Sequence, residues 1–292
     1  MPIPPESVPP DDAPPAVVKA ADILAEAART GVACPPVRGL LPEGDLDAAY
    51  AVQRLTVRRE VAAGGRIVGR KTGLTSPAVQ AQLGVDRPDF GALFAGAAVP
   101  EGTPVVAGRL LQPKVEAEVA LVLAEDLPHR DCTIADVLRA TDFALAALEI
   151  VDSRVAGWDI SIVDTIADNA SSGLFVLGSA PVPVTRLDLR GIRMTLTRNG
   201  AQASAGTGAD CLGSPLNAAA WLASSLAAAG DPLRAGDLVL TGALGPMVAA
   251  APGDLFEAHL SGLGSVQAYF AAETEEAGTE VTTADETAGE RR

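Results

Sequence analysis

The sequence predicts an α+β protein: a mixed β-sheet rolled on itself, with a helical N-terminal part. Apolar residues recur at helical spacing in two capped segments before residue 65. From Arg66 the character changes to short apolar or alternating runs separated by Gly and Pro turns. Helical segments fall only occasionally among those runs, which favours α+β over a regular strand–helix alternation.

The elements follow in order. Residues 16–30 ("AVVKAADILAEAART") have apolar positions at helical spacing and stop at Gly31. Asp45 is a good N-cap for a second helix that runs through "LDAAYAVQRLTVRREVAA" to Gly64–Gly65. "RIVGRKTGLT" alternates as a strand does, and "SPAVQAQLG" reads as a short helix with Ser76 as cap and Pro77 at its first position. "VEAEVALVL" is a strand. Thr133 begins a helix through "IADVLRATDFAL", which leads into the short apolar run "AALEIVDS". "GLFVLG" is a strand, and "IRMTLTRNGAQASAG" is a hairpin about Asn199–Gly200, a pair suited to a tight primed turn. "SPLNAAAWLASSLAAAG" repeats the Ser-Pro helix start and ends at Gly230. "GDLVLTG", "DLFEAHL" and "SVQAYF" are three short closing strands. No internal repeat is evident.

At 292 residues and 48% hydrophobic content, the chain is globular and long enough to bury a sizeable core. The formal net charge is −15, of which −3 falls in residues 1–16 and −5 in residues 271–292. Both ends read as acidic, low-complexity tails. They bracket a helical lobe at 17–65 and a β-roll domain at 66–270. The mildly acidic body argues against nucleic acid or an anionic membrane as partner. Three scattered cysteines without a CxxC spacing, a Pro-rich acidic N-terminus and no long apolar run point to a reduced, cytoplasmic protein.

Chemistry starts at "PKVEAEVALVL". Residues i and i+2 of a strand share a face, so Glu116 and Glu118 are neighbours there while Val115, Ala117 and Val119 face the other way. Either that face is wet, or the two carboxylates hold a hard divalent cation such as Mg²⁺ or Mn²⁺. Glu149 lies in the apolar run "LAALEIVDS", where a carboxylate needs a partner. A metal would serve, and so would an ion pair with Lys114 or Arg154. Lys71 sits inside a glycine-bracketed strand, either at the surface or as a substrate-binding or acid/base group. Asp89 follows Pro88 in "DRPDFG", as a turn residue or a functional one. The small polar stretch "VDTIADNASSG" reads as a loop that satisfies its own turns or offers donors to an anionic ligand. In "TGALGPM" two glycines indicate close backbone approach. The two histidines stand in no nucleophile–base pattern, and GxSxG, GxGxxG and P-loop patterns are absent. Serine hydrolase, dinucleotide enzyme and nucleotide hydrolase are therefore disfavoured.

Five blocks occur together and in order: "GRKTGLTSPAVQAQLGVDRPDFGALF", "LQPKVEAEVALVL", "ALEIVDSRVAGWDISIVDTIADNASSGLFVLG", "CLGSPLNAAAWLA" and "GDLVLTGALGPM". With them the chain, from about residue 45 to 270, resembles the 2-keto-4-pentenoate (2-hydroxypenta-2,4-dienoate) hydratases of the fumarylacetoacetate hydrolase superfamily. The resemblance implies a rolled mixed sheet, a homo-oligomer, and Mg²⁺- or Mn²⁺-dependent addition of water to a small 2-hydroxydienoate in meta-cleavage catabolism of aromatic compounds. It implies Glu116, Glu118 and Glu149 as metal ligands and Lys71 and Asp89 as the acid/base pair. Asn169, Ser171, Ser172, Thr241 and Gly242 are carried with it as substrate contacts, and neighbouring pathway enzymes as partners. Two departures stand out: Ser214 replaces a frequent His, and Lys114 replaces a common Arg. The competing readings are 4-oxalocrotonate decarboxylase of the same fold, disfavoured by "TGALGPM", and a non-catalytic structural subunit, disfavoured by the intact polar set.

Overall fold

The computed structural model describes residues 13–76, 80, 85, 87–106 and 108–272. In chain order, α1 (Pro15–Thr30) and α2 (Leu46–Ala62) come first, followed by β1 (Ile67–Gly73), β2 (Asp89–Phe94) and β3 (Lys114–Leu123). Next are α3 (Ile134–Ala140), β4 (Thr141–Val151), α4 (Ile162–Ala167), β5 (Ser172–Leu177) and the short β6 (Val182–Pro183). The last part holds β7 (Arg193–Arg198), β8 (Ala201–Thr207), α5 (Pro215–Ala228) and β9 (Leu238–Ala243). It closes with β10 (Val248–Ala249), β11 (Leu255–Leu260) and β12 (Gly264–Tyr269).

Local signals set the helices. α1 buries Val17, Ala20, Ala21, Leu24 and Ala27, one stripe at helical spacing, and ends where Gly31 at φ 69° returns its N–H to Ala27 O. The Asp45 side chain accepts from Ala48 N and starts α2. α1 and α2 do not stand apart: Leu24, Val52 and Leu55 share a hydrophobic cluster with Val155, Val163 and Ile166 beside and within α4. The tails expected at 1–16 and 271–292 lie outside the described residues except for 13–16 and 271–272. α1 already begins at Pro15, inside the first of them. The helix expected at "SPAVQAQLG" also falls largely outside the described residues.

Two sheets make the roll. The larger has the order β2-β1-β9-β3-β4-β5, with β10 on β3 and β6 on β4, and is mixed because β1 runs parallel to β9. The smaller, β12-β11-β7-β8, is antiparallel and contains the expected Asn199–Gly200 hairpin, with φ 54° and 79° at its turn. Between the sheets lies the main core, which takes Val115, Ala117, Val119 and Leu121 from β3, Leu222 and Leu226 from α5, and Leu196 and Phe256 from the small sheet. Each such buried Val, Leu or Phe side chain contributes about 2 kcal/mol of hydrophobic stabilisation. The opposite face of β3 and β4 carries a smaller apolar cluster around Ala120, Leu145 and Ala147, and beyond it the glutamates. No described helix is long and apolar enough to cross a membrane.

Two expectations need correction. The helix begun at Thr133 keeps its capping box with Asp136 but stops at Ala140, and "TDFALAALEIV" is strand throughout. Ala and Leu favour helix locally, but pairing with β3 from Thr141 to Val151 overrides that preference. The stretch "VDTIADNASSG" is not a loop. It is α4, capped by Ser161, followed by a left-handed turn with φ of 52°, 53° and 50° at Asn169, Ala170 and Ser171.

Candidate metal centre

β3 and β4 run antiparallel with Glu116 directly opposite Glu149, and Glu118 follows two residues later on the same face. One carboxylate oxygen from each of the three lies within 4.8 Å of the others. All three residues are buried, Glu118 completely. Glu118 is aimed by its neighbour on the other side: Oε2 accepts from Gly242 N at 2.7 Å, where β9 is out of step with β3. Gly242 is required there, at φ 105° and with the Thr75 side chain where a Cβ would stand. Thr241 points its hydroxyl to Val119 O and so fastens β9 to β3.

Lys71 comes from β1, three strands from Glu149 in the sheet order, a separation of about 14 Å in a flat sheet. The roll brings Nζ to 3.0 Å from Glu149 Oε1, and it also donates to Ala170 O at 2.8 Å. Glu149 therefore pairs with Lys71, not with Lys114 or Arg154; Arg154 is held by Asp168, and Lys114 lies 4.0 Å over the Trp158 ring. Asp89 opens β2 opposite Gly73, fully buried, with neither carboxylate oxygen hydrogen-bonded. A Cβ on Gly73 would collide with Asp89 Oδ1, so the bare glycine makes the room for that carboxylate.

The electrostatics are those of an acid cluster in a dry place. Burial, then Glu149, pushes Glu116 up to about 7, and burial, Glu149 and Glu116 hold Glu118 well above the usual carboxylate range. Burial raises Asp89 to about 6 against the pull of Lys71. Burial pulls the Lys71 ammonium down, but Glu149, Asp89, Glu116 and Glu118 together override it, and its pKa is raised. Lys71 is the one ammonium buried among four carboxyl groups, and Lys114 adds a weaker pull on Glu116. Glu118 Oε1 and Glu149 Oε2 are buried and have no hydrogen-bond partner. An all-oxygen, carboxylate-rich donor set with orphaned buried oxygens fits a hard divalent ion such as Mg²⁺ or Mn²⁺, and lacks the nitrogen and sulfur ligands that structural zinc prefers.

The sequence-expected substrate contacts divide. Ser171 is buried and lines the same cavity as Lys71, Asp89 and Glu116, its hydroxyl unpartnered. Asn169 donates to Ala92 O and accepts from Ala92 N, and with Ser172 it lines a different cavity beside α1 and α2. Thr241 and Gly242 serve Val119 and Glu118 as described. Asp164 and Asp168, flanking the turn, bind Arg38 and Arg154. The sequence reading missed the apolar side of the cavity, made by Leu74, Val151, Trp158, Ile160 and Met247. A lone aromatic in the polar run "AGWDIS" was its one available signal.

The profile of the fumarylacetoacetate (FAA) hydrolase C-terminal family matches residues 66–271. The TodF product hydratase of Pseudomonas putida strain F1 is 58% identical over 256 residues, covering 88% of this chain and 96% of its own. The 2-keto-4-pentenoate hydratase 1 of Dechloromonas aromatica strain RCB is 56% identical over 252 residues, covering 86% and 96%. Among solved structures, the 4-oxalocrotonate decarboxylase of Pseudomonas putida G7, complexed with magnesium and adipate, superposes with a TM-score of 0.83. It is 37% identical and covers 87% of this chain and 97% of its own. The chain is an enzyme and belongs to the fumarylacetoacetate hydrolase family, in the branch of its 2-keto-4-pentenoate hydratases.

Proposed function

We propose that this enzyme hydrates 2-hydroxypenta-2,4-dienoate to 4-hydroxy-2-oxopentanoate, using Mg²⁺ or Mn²⁺ held by Glu116, Glu118 and Glu149. The observation that carries the reading is the buried triad within 4.8 Å, set beside a buried lysine and a buried, unpartnered aspartate. A bound divalent ion supplies Lewis acidity toward the substrate's carboxylate and 2-oxygen and a fixed place for both.

The protons belong to the protein. The 2-hydroxyl must lose one and carbon 5 must gain one to give the 2-oxo-3-enoate; water then delivers OH to carbon 4 and H to carbon 3. Lys71, held protonated by the surrounding carboxylates, is a donor and an anchor for negative charge. Asp89 at about 6 changes state near neutral pH, because burial and Glu149 favour its neutral form while Lys71 and the backbone of Gly73 favour the charged one. Ser171 offers a hydroxyl from the left-handed turn. The apolar side of the cavity excludes bulk water from the dienoate.

The decarboxylase reading is kept alive by one observation, the 37% identity and 0.83 TM-score to a 4-oxalocrotonate decarboxylase. Following the absorbance of 2-hydroxypenta-2,4-dienoate with chelator and with each divalent metal tests both readings. Metal-dependent loss of the dienoate is expected. No turnover with any divalent metal would sink the hydratase assignment, and carbon dioxide released from 2-oxohex-3-enedioate would move it to the decarboxylase.

A further inference from the structure

The cavity that Glu116 lines is bounded by two unlike sets of residues. One is charged and polar; the other is Leu74, Val151, Trp158, Ile160 and Met247, without a polar side chain apart from the indole N–H. That N–H is directed away, donating to Gln112 O at 3.0 Å. Among the described lining residues the one cation is Lys71, and it is committed to Glu149 and Ala170 O.

A second cation stands one ring's thickness outside. Lys114 is on the same face of β3 as Glu116, about 7 Å along the strand. Its Nζ lies 4.0 Å over the ring of Trp158, which lines the cavity, its charge acts on Glu116, and among the described residues its side chain makes no ion pair or hydrogen bond. Trp158 is held in that position from three directions. Its indole N–H bonds Gln112 O, the preceding Gly157 N donates to Gln112 Oε1, and Gln112 Nε2 fastens Ser153 O and Val155 O. The residue itself sits at φ 56°, a left-handed conformation that a tryptophan adopts at a cost. The turn is built to hold an indole at the cavity and against Lys114.

We infer that Trp158, by holding the Lys114 ammonium on its ring and presenting an apolar wall, makes this site selective for 2-oxo or 2-hydroxy acids with an uncharged tail and against those with a second, terminal carboxylate. The inference rests on the reading that the triad's metal holds the acid's first carboxylate. With that end fixed, a terminal carboxylate would meet either the apolar side, where it is unpaired, or the negative cluster of Asp89 and Glu116. A methyl or hydrogen there meets only hydrocarbon. The same fold in the decarboxylase relative is seen with adipate, a six-carbon dicarboxylate, so the discrimination belongs to particular side chains and not to the roll.

The test uses two acids of equal length and identical chelating end, 2-oxohexanoate and 2-oxohexanedioate, titrated calorimetrically into the Mg²⁺-loaded protein. The wild type is expected to bind the monoacid at least about tenfold more tightly. In Trp158→Leu, Lys114 is released toward the cavity and the preference falls to within about threefold. Trp158→Leu with Lys114→Met restores it, and Trp158→Phe, which keeps a ring under the ammonium, retains it. Equal wild-type affinities would overturn the inference. So would a double variant no more selective than Trp158→Leu, because the gain would then come from space and not from the cation. Titrating Mg²⁺ alone beforehand separates the two layers: no Mg²⁺ binding sinks the metal reading and this inference together, whereas Mg²⁺ binding with no discrimination sinks this inference alone.

Discussion

Glu116→Gln should stabilise the metal-free protein and abolish its response to metal. Glu116 is 8% exposed, and its carboxyl ionises near 7 in the fold against 4.5 for the ordinary side chain. Carrying ionised Glu116 therefore costs the fold about 3 kcal/mol once the pH is above both values. The sign follows from the proton count. Between 4.5 and about 7 the folded protein holds a proton that the unfolded chain has released, so the contribution of this group to stability falls as pH rises through that window and is level beyond it. A neutral amide of the same shape removes the penalty. At pH 8, in chelator, the variant's thermal midpoint should exceed the wild type's by several degrees, at about 2–4 °C per kcal/mol. At pH 4.5 the gap should close. Mg²⁺ or Mn²⁺ at about 100 times its dissociation constant should add about 2.7 kcal/mol to the wild type and little to the variant, which lacks one ligand. Paired melting curves at pH 4.5 and 8, with and without metal, read all four values. A variant less stable than wild type in chelator at pH 8, or one with an undiminished metal shift, would refute the picture of a repulsive triad awaiting a cation.

Three further outcomes follow from the same geometry. Metal affinity should fall as the pH drops below 7, because the ion must displace protons that burial keeps on Glu116 and Glu118; calorimetry in buffers of different ionisation enthalpy should show more proton released per ion bound at pH 6 than at pH 8. Gly73→Ala places a methyl against the Asp89 carboxylate, so kcat should drop about 100-fold while the metal dissociation constant stays within about threefold; unchanged kcat would free Asp89 from the mechanism. Gly242→Ala meets the Thr75 side chain at a backbone φ of 105° and disturbs the N–H that aims Glu118. It should lose about 2–4 kcal/mol in urea unfolding and weaken metal binding, whereas Ala substituted at the open turn Gly200 should leave metal binding unchanged.

Much of this was legible residue by residue, and the limits have physical causes. The period of a strand alone sets Glu116 beside Glu118, and the caps at Asp45, Thr133 and Ser214 start helices where they stand. Those are local properties. That Glu116 faces Glu149 depends on the β3–β4 register, which is fixed only when both apolar faces are packed. The partner of Glu149 depends on curvature: Lys71 is remote along the sheet, while Lys114 and Arg154 are nearer in the chain and are engaged elsewhere. "ADNASS" looked like a polar loop because its composition is that of one. Its one acid, Asp168, is instead buried against Arg154, as Asp164 just before the stretch is against Arg38, and Asn169 replaces a strand partner for Ala92. Composition reports which groups can make hydrogen bonds, not with which residues they make them.

The placement of the triad follows from what it costs. Three carboxylates held within 4.8 Å without an ion repel one another and resist burial, so a soft element would move to let water in. They are carried by β3 and β4, central strands paired over ten residues and backed by the main core on their other face. Val115, Ala117 and Val119 on one side of β3 are thus what keeps Glu116 and Glu118 in position on the other. The polar groups beside the triad come from other kinds of place: Asp89 from the start of an edge strand and Ser171 from a left-handed turn. A cavity cut beneath the triad, such as Val119→Ala, should therefore weaken metal binding before it alters the pH dependence of turnover. The reverse order would mean that the glutamates are held by their own contacts and not by the core behind them.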